Sequence, residues 1–220
     1  MTDAPASFRL EGRVVRVEPL SARLHARDLW EAIGQPKRHD LWRFIPTGPF
    51  PAPEAFAAFI DTKGSAADAK WFAIVSQASG KAVGVLALMR EDKVHRVIEV
   101  GGIILAPELQ RTIGATEAQY LLARHVFETL NYRRYEWKCD NGNAASKRAA
   151  ERLGFTFEGV FRQHMLVKGK NRDTAWFSML DSEWPLRKAA FEAWLDPKNF
   201  DDTGRQRNSL EASNTPAARA

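Results

Sequence analysis

Residues 139–159, CDNGNAASKRAAERLGFTFEG, contain the pattern that decides the fold. A polar cluster follows a β-rich run, and a short helix is predicted to end at Gly154, because glycine accepts the left-handed conformation that often ends a helix. Asn141, Asn143 and Ser146 lie where asparagine and serine commonly cap a helix start. The stretch therefore predicts a strand, a capped helix and a second strand.

The sequence on both sides alternates between the two-residue period of strands and the 3.6-residue period of helices. Strands are predicted over 14–17, 71–76, 82–90, 97–105, 134–139, 156–168 and 174–180, and helices over 24–33, from Pro53, over 116–130, over 144–153 and from Pro185. The long helix from Thr116 joins two strands, whereas most other strands follow one another directly. We therefore expect an α+β, three-layer fold with a mixed, mostly antiparallel sheet and one parallel βαβ crossover.

The composition is that of an ordinary globular chain, with 220 residues, 45% hydrophobic and 27% charged. One domain over 8–196 is predicted, followed by a flexible tail over 197–220 that has few large apolar groups. No run is long and apolar enough for a membrane span, and the first thirty residues lack a signal-peptide core. We therefore expect a cytoplasmic protein.

Cysteine and histidine usage excludes two kinds of site. Cys139 is the only cysteine, so no internal disulfide and no cysteine-rich zinc site can form. The five histidines show none of the close spacings of metal ligands on one element, and no metal is expected. Cys139 itself is expected to be a small buried group at a strand end.

The positive charge of the chain is concentrated in one window. The net charge is +5, and residues 133–172 contain ten basic residues against four acidic ones. Such a region attracts polyanions, for example a phosphorylated cofactor or a nucleic acid. A solvated basic face is the alternative interpretation.

A second informative stretch, residues 98–118, reads IEVGGIILAPELQRTIGATEA. An apolar strand leads through a turn into a helix whose first residues are small. Free amides and the positive end of the helix dipole would meet there, and Gly114 and Ala115 would let a phosphate approach the main chain. A plain strand-to-helix loop is the alternative. Two such loops at the ends of successive parallel strands favour a ligand site.

The two stretches together resemble the acetyl-CoA-binding core of the GNAT superfamily of N-acetyltransferases, and most of all its RimJ/RimL-like branch. Residues 115–118, Ala-Thr-Glu-Ala, resemble the helix start of that branch. Asn143 and Ser146, followed by Arg-Leu-Gly-Phe at 152–155 and Glu158-Gly159, resemble its second signature. The resemblance covers roughly residues 8–195.

The resemblance implies a set of residues that bind acetyl-CoA, the expected cosubstrate. These are Ile104, Leu105, Gln110, Arg111, Thr112, Ile113, Gly114, Ala115, Thr116, Asn143 and Ser146. The pyrophosphate loop departs from the family pattern, and it can be read with Gln110 or with Arg111 in the first position. We prefer the Gln110 register, in which Ile113 replaces a glycine and would have to adopt a conformation that glycine reaches at lower cost.

The resemblance also implies direct attack of a substrate amine on the thioester. An amide near Ile104 or Leu105 would polarise the carbonyl, Ser146 would serve the departing sulfur, and Glu99 is the first candidate base. Glu99 could equally be a partnered structural carboxylate. His164 and Glu158 are weaker candidates, for which structural roles are the commoner outcome.

The aromatic-rich first sixty residues are expected to be mostly core, and part of them would line the acceptor site. Three acceptors remain open: a peptide N-terminus, such as that of a ribosomal protein, a small amine, or an amino-sugar. Two alternatives come from other classes of protein. A non-catalytic acyl-CoA-binding regulator would explain Ile113, and an RNA- or ribosome-binding protein would explain the basic window, although no base-stacking motif supports it.

Overall fold

The computed structural model describes residues 8–210, and these form two compact units. The first unit contains residues 8–91 and 99–122, and the second contains 92–98 and 123–210. Each unit combines strands with helices.

The first unit is a meander of five strands in chain order. The strands are β1 (Leu10–Glu11), β2 (Val15–Pro19), β3 (Ala69–Ser76), β4 (Ala82–Asp92) and β5 (Val97–Leu105), and the helices are α1 (Ala22–Leu29), α2 (Pro53–Gly64) and α3 (Ile113–Arg124). One or two end residues of β4, β5 and α3 fall in the second unit. β2 pairs antiparallel with β3, with Val17 opposite Ile74, and β3 pairs antiparallel with β4, with Phe72 opposite Leu86. Many Val and Ile side chains of these strands are buried, as the sequence pattern predicts for strands that pack on a core.

The helices of the first unit close over an aromatic cluster. α1 continues into a π-helical turn that ends at Gly34, where a Cβ would lie 2.6 Å from the Trp30 ring. Trp42 is fully buried, meets Phe50 and Phe56 edge-on, and donates its indole N–H to the Ile33 carbonyl oxygen at 2.8 Å. Trp42 and Phe56 are core residues as expected, whereas Trp30, Phe44, Phe50 and Phe59 stay partly exposed, so fewer of these aromatic residues are buried than the sequence predicted.

The second unit pairs its strands in the order β6, β8, β7, and all pairs are antiparallel. The strands are β6 (Arg134–Asp140), β7 (Thr156–Val167) and β8 (Lys170–Leu180), and the helices are α4 (Ala144–Arg152) and α5 (Trp184–Leu195). The turn between β7 and β8 is Lys168-Gly169, not the predicted loop over 169–172. Both turn residues have positive φ, 51° and 73°, so a tight two-residue hairpin is formed.

Helix α4 ends as the sequence predicts. Gly154 has φ 91° and donates its amide to the Glu151 carbonyl oxygen at 3.0 Å, while Phe155 donates to Ala150 at 3.0 Å. Glycine is needed because a side chain disfavours this left-handed conformation.

The structure describes residues 197–210 of the predicted tail, and they make defined local contacts. Residues 197–199 form a short 3₁₀ turn, and Phe200 pairs with Gln206. Asn199 is buried and donates to the Trp194 carbonyl oxygen at 3.1 Å, and Leu210 is fully buried. A few well-placed contacts therefore order a segment of polar composition. Residues 211–220 of the predicted tail lie outside the described residues.

Candidate functional site

The turn before α3 has its left-handed residue at Arg111, where φ is 62°. Ile113 is the first residue of the helix, so the expectation that Ile113 would adopt a glycine-like conformation is wrong. The chain bends two residues earlier, and Thr112 follows the bend. Thr112 Oγ1 donates to the Leu109 carbonyl oxygen at 2.7 Å and accepts the Ala115 amide at 3.4 Å. The first turn of a helix leaves its other amides without intrahelical partners, which suits a phosphate.

Gly114 is required by packing. A Cβ at this position would lie 2.9 Å from Val15 Cγ1 and 3.1 Å from Leu109 Cδ1. Gly114 and Thr116 are buried, Ile113 and Ala115 are partly exposed, and Gln110, Arg111 and Thr112 are exposed. The glycine therefore lets the helix start approach β2 closely, and the exposed face of the loop carries the polar residues.

The end of β5 is fixed by Gln110, whose Nε2 donates to the Leu105 carbonyl oxygen at 3.0 Å. Ile104 is buried and Leu105 is partly exposed. The irregularity in this strand lies at Gly102, with φ 60°, where a Cβ would be 2.4 Å from the Trp71 ring. The backbone distortion thus falls two residues before Ile104. The pair Gly101-Gly102 was the sequence signal for it.

Ser146 is held by three groups in the second unit. Its amide donates to Asn143 Oδ1 at 3.1 Å, which is the predicted cap of α4. Its Oγ accepts the Trp137 indole N–H at 3.0 Å. Burial raises the pKa of the Cys139 thiol, and a hydrogen bond from Ser146 partly opposes that rise. Sequence reasoning missed Trp137, which the alternation of β6 places on the same face as Cys139.

Glu99 is buried and its carboxylate is paired. Both of its oxygens lie 2.8 Å from Arg90 Nη1 on the neighbouring strand. Of the two interpretations left open by the sequence, this contact favours the partnered carboxylate.

The two weaker candidates have structural partners. Glu158 is bonded by Arg134 at 2.8 and 2.5 Å and by Ser178 at 2.7 Å, and the hydrogen bonds from Arg134, followed by Ser178, lower the pKa of Glu158 against the opposing effect of burial. His164 Nδ1 lies 2.9 Å from Thr174 Oγ1. His164 also lines an open pocket formed at the β7 irregularity by residues 161–164.

The basic window is partly neutralised within the second unit. Arg134 contacts Glu136 at 2.7 Å as well as Glu158, and Lys138 contacts Glu136 at 2.8 Å. Lys138 Nζ also lies 3.8 Å from the centre of the Trp176 ring. These pairs use two acidic residues that the charge count already includes, so the positive charge of the window lies on its other basic residues.

Residues 8–210 lack two features, a metal-binding cluster and a membrane-spanning helix. No group of three or more His, Cys, Asp or Glu side chains there could hold a metal ion. Among the same residues, no helix combines the length and the apolar character that a membrane span needs.

Residues 15–156 match the acetyltransferase (GNAT) domain, so the chain belongs to the GNAT family. It is 47% identical to a solved GCN5-related N-acetyltransferase from Brucella melitensis, with a TM-score of 0.92 over 96% of this chain and 95% of that chain. A solved "probable acetyltransferase" of the GNAT family from Chromobacterium violaceum is 40% identical, with a TM-score of 0.76 over 84% of this chain and 91% of that chain.

A curated relative points to the branch of the family. It is named "Putative ribosomal N-acetyltransferase YdaF", from Bacillus subtilis, and is 33% identical over 109 residues. The match covers 50% of this chain and 59% of the relative's length. It supports the RimJ/RimL-like branch. The α+β fold, with its mostly antiparallel sheet and one parallel crossover, is confirmed by the family match and the solved structures.

Proposed function

We propose that the protein is an N-acetyltransferase that moves the acetyl group of acetyl-CoA directly to a primary amine. The observation that carries the proposal is the setting of Ser146. Its Oγ accepts the Trp137 indole N–H, and its own amide is used in the helix cap. A hydroxyl has one proton to donate. Trp137 does not compete for that proton, which lies toward the Cys139 thiol and would turn from it to the departing sulfur. Ser146 is therefore suited to donate to a sulfur that gains negative charge as it leaves.

The start of α3 is suited to the pyrophosphate of the cosubstrate. Residues 110–116 would bind the pyrophosphate through main-chain amides and through the exposed side chains of Gln110, Arg111 and Thr112. The fit rests on the direction of the main-chain amides at a helix start and on Gly114, which lacks a Cβ. Asn143 contributes by fixing the position of Ser146 through the cap.

Two further roles complete the proposed reaction. A main-chain amide at Ile104 or Leu105 would donate to the thioester carbonyl oxygen. Glu99 would accept the proton of the amine through a water, because Arg90 already holds both carboxylate oxygens. Glu99→Gln keeps the shape of the side chain, and a loss of kcat at unchanged stability would support the base, whereas a loss of stability at unchanged kcat would identify a structural ion pair.

The proposed acceptor is a protein N-terminus. Support comes from the name of the Bacillus subtilis relative, which refers to ribosomal N-acetylation, and from membership in the family. Small amines and amino-sugars are the competing acceptors, and a panel of all three with acetyl-CoA would separate them by kcat/KM.

Ligand-dependent stability tests the proposal directly. Saturation at 100 times the dissociation constant should add about 2.7 kcal/mol, which is a rise in Tm of about 5 to 10 °C at this chain length. Acetyl-CoA and CoA should produce the rise, and ATP, an unrelated polyphosphate, should not. Binding without acetylation of any amine would indicate the non-catalytic acyl-CoA-binding alternative. No rise with CoA species, together with salt-sensitive RNA binding, would contradict the proposal.

A further inference from the structure

Glu117 lies in α3, directly after the proposed pyrophosphate loop, and is 5% exposed. Its carboxylate accepts three consecutive main-chain amides at the start of β2. Oε1 accepts Arg13 N–H at 2.8 Å, and Oε2 accepts Val14 N–H at 2.8 Å and Val15 N–H at 2.9 Å. Successive amides of this kind form a concave binding site for an anion, and here the anion is a side chain of the same unit.

The neighbouring glycine shows how closely this contact is fitted. A Cβ on Gly12 would lie 2.6 Å from both Cδ and Oε2 of Glu117, and 2.6 Å from the Val15 carbonyl oxygen. Gly12 also donates its amide to that Val15 oxygen at 2.9 Å. The chain from Gly12 to Val15 is therefore wrapped around the carboxylate.

A second contact joins the same two segments at the loop itself. A Cβ on Gly114 would lie 2.9 Å from Val15 Cγ1 and 3.1 Å from Leu109 Cδ1, so Gly114 is packed tightly against both side chains. The polar contact at Glu117 and the apolar contact at Gly114 thus hold one turn of α3 against β2. The amides at the start of α3 are fixed in direction by these two contacts.

We infer that Glu117 is a positioning residue for the pyrophosphate loop. It acts through the Arg13–Val15 amides and without touching the ligand, so that the loop presents its amides in the binding arrangement before acetyl-CoA arrives. The inference rests on the proposed function. A loop held in advance binds more tightly, because less ordering remains to be done on binding.

The variant Glu117→Gln tests the inference, because the amide retains the size of the carboxylate but brings an N–H₂ group toward three donors. The Kd for acetyl-CoA, measured by calorimetry, should rise by about tenfold, the scale of one or two lost hydrogen bonds. KM for acetyl-CoA should rise in parallel while kcat changes less than about twofold.

The matched control is Glu18→Gln, which alters β2, the strand that Glu117 contacts. Glu18 is buried like Glu117, but its partners are Arg16 at 2.9 Å, His25 at 3.0 Å and Arg9 at 2.8 Å, all outside residues 109–117. Glu18→Gln should lower stability and leave the Kd for acetyl-CoA unchanged. An equal rise of Kd in both variants would overturn the positioning role, and so would an unchanged Kd in folded Glu117→Gln.

Hydrogen exchange of the unmodified protein keeps the inference testable if Glu117→Gln does not fold. Coupling between two sites is reciprocal, so bound acetyl-CoA should slow exchange at the amides of Arg13, Val14 and Val15. Unchanged exchange at these three amides, with acetyl-CoA bound, would overturn the inference. Failure of the unmodified protein to bind acetyl-CoA at all would instead contradict the proposed function.

Discussion

The loop before α3 and the loop before α4 both lead from a strand into a helix, yet their helix starts are organised in different ways. Before α4, the side chain of Asn143 accepts the Ser146 amide, and the Ser146 hydroxyl is oriented by Trp137 and Cys139. Before α3, Arg111 makes the bend and Thr112 reaches only the Ala115 amide, at 3.4 Å. The first loop offers main-chain donors, and the second offers one oriented side chain. The same strand-to-helix arrangement can therefore prepare different chemistry.

Removal of the Ser146 hydroxyl should have the largest effect. Ser146→Ala should lower kcat by about 100-fold, the lower range of acid–base catalysis, and change the Kd for acetyl-CoA much less. Steady-state kinetics with calorimetry would separate the two. The control is Ser182→Ala, which alters an exposed serine in the same unit. Equal kcat in Ser146→Ala and the unmodified protein would refute the role of the hydroxyl.

A methyl group at the α3 start should have the next largest effect. Gly114→Ala should lower stability by about 1 to 3 kcal/mol, because the added Cβ meets Val15 and Leu109 in a packed region. Gly142→Ala in the loop before α4 is the matched control, since its Cβ meets only Asp140 Oδ1, at 3.2 Å. Urea unfolding would compare the two. A smaller loss for Gly114→Ala than for Gly142→Ala would contradict this account.

The side-chain cap of α4 should contribute less. Asn143→Ala should cost about 1 kcal/mol of stability through the uncapped Ser146 amide, and it should also weaken acetyl-CoA binding. Asn143→Asp retains an acceptor oxygen and should restore most of the stability. If alanine and aspartate gave the same unfolding midpoint, the cap would contribute nothing measurable.

Two glycine substitutions compare positions within the α3 loop. Arg111→Gly should leave stability level or raise it by up to about 1 kcal/mol, because glycine reaches positive φ without strain. Ile113→Gly should lower stability by about 1 kcal/mol, since Ile113 is helical. Thermal unfolding of both variants measures the difference. The reverse order would mean that the bend lies at Ile113 in solution.

The smallest expected effect is on the Cys139 thiol. Burial raises the pKa of this thiol, and the Ser146 hydrogen bond to it works in the opposite direction. Ser146→Ala should therefore move the pH midpoint of Cys139 alkylation further up. Cys139 is the only cysteine, so the alkylation rate reports on it alone. An unchanged or lower midpoint would show that Ser146 does not contact the sulfur.

Predictions that depend on neighbouring residues were the accurate ones. The stop of α4 at Gly154 and the cap by Asn143 follow from residues within one turn of each other. The bend was expected at Ile113, where the family pattern has a glycine. It lies at Arg111 instead, and the arginine adopts the left-handed conformation. The contacts of residues 197–210 were not predicted, because composition does not reveal that Leu210 is buried.

The sequence by itself determined the order of strands and helices, the start and stop of α4 and the family, because periodicity, caps and glycine stops act over a few residues; α3 begins at Ile113, three residues before the predicted start. Only the tertiary structure decided which partners those residues meet. Trp137 reaches Ser146 across nine positions, Arg90 reaches Glu99 across a strand pair, and Glu117 reaches Arg13 across 104 positions. Such contacts are selected by strand register and helix packing, and a buried carboxylate needs whichever donors the fold brings to it.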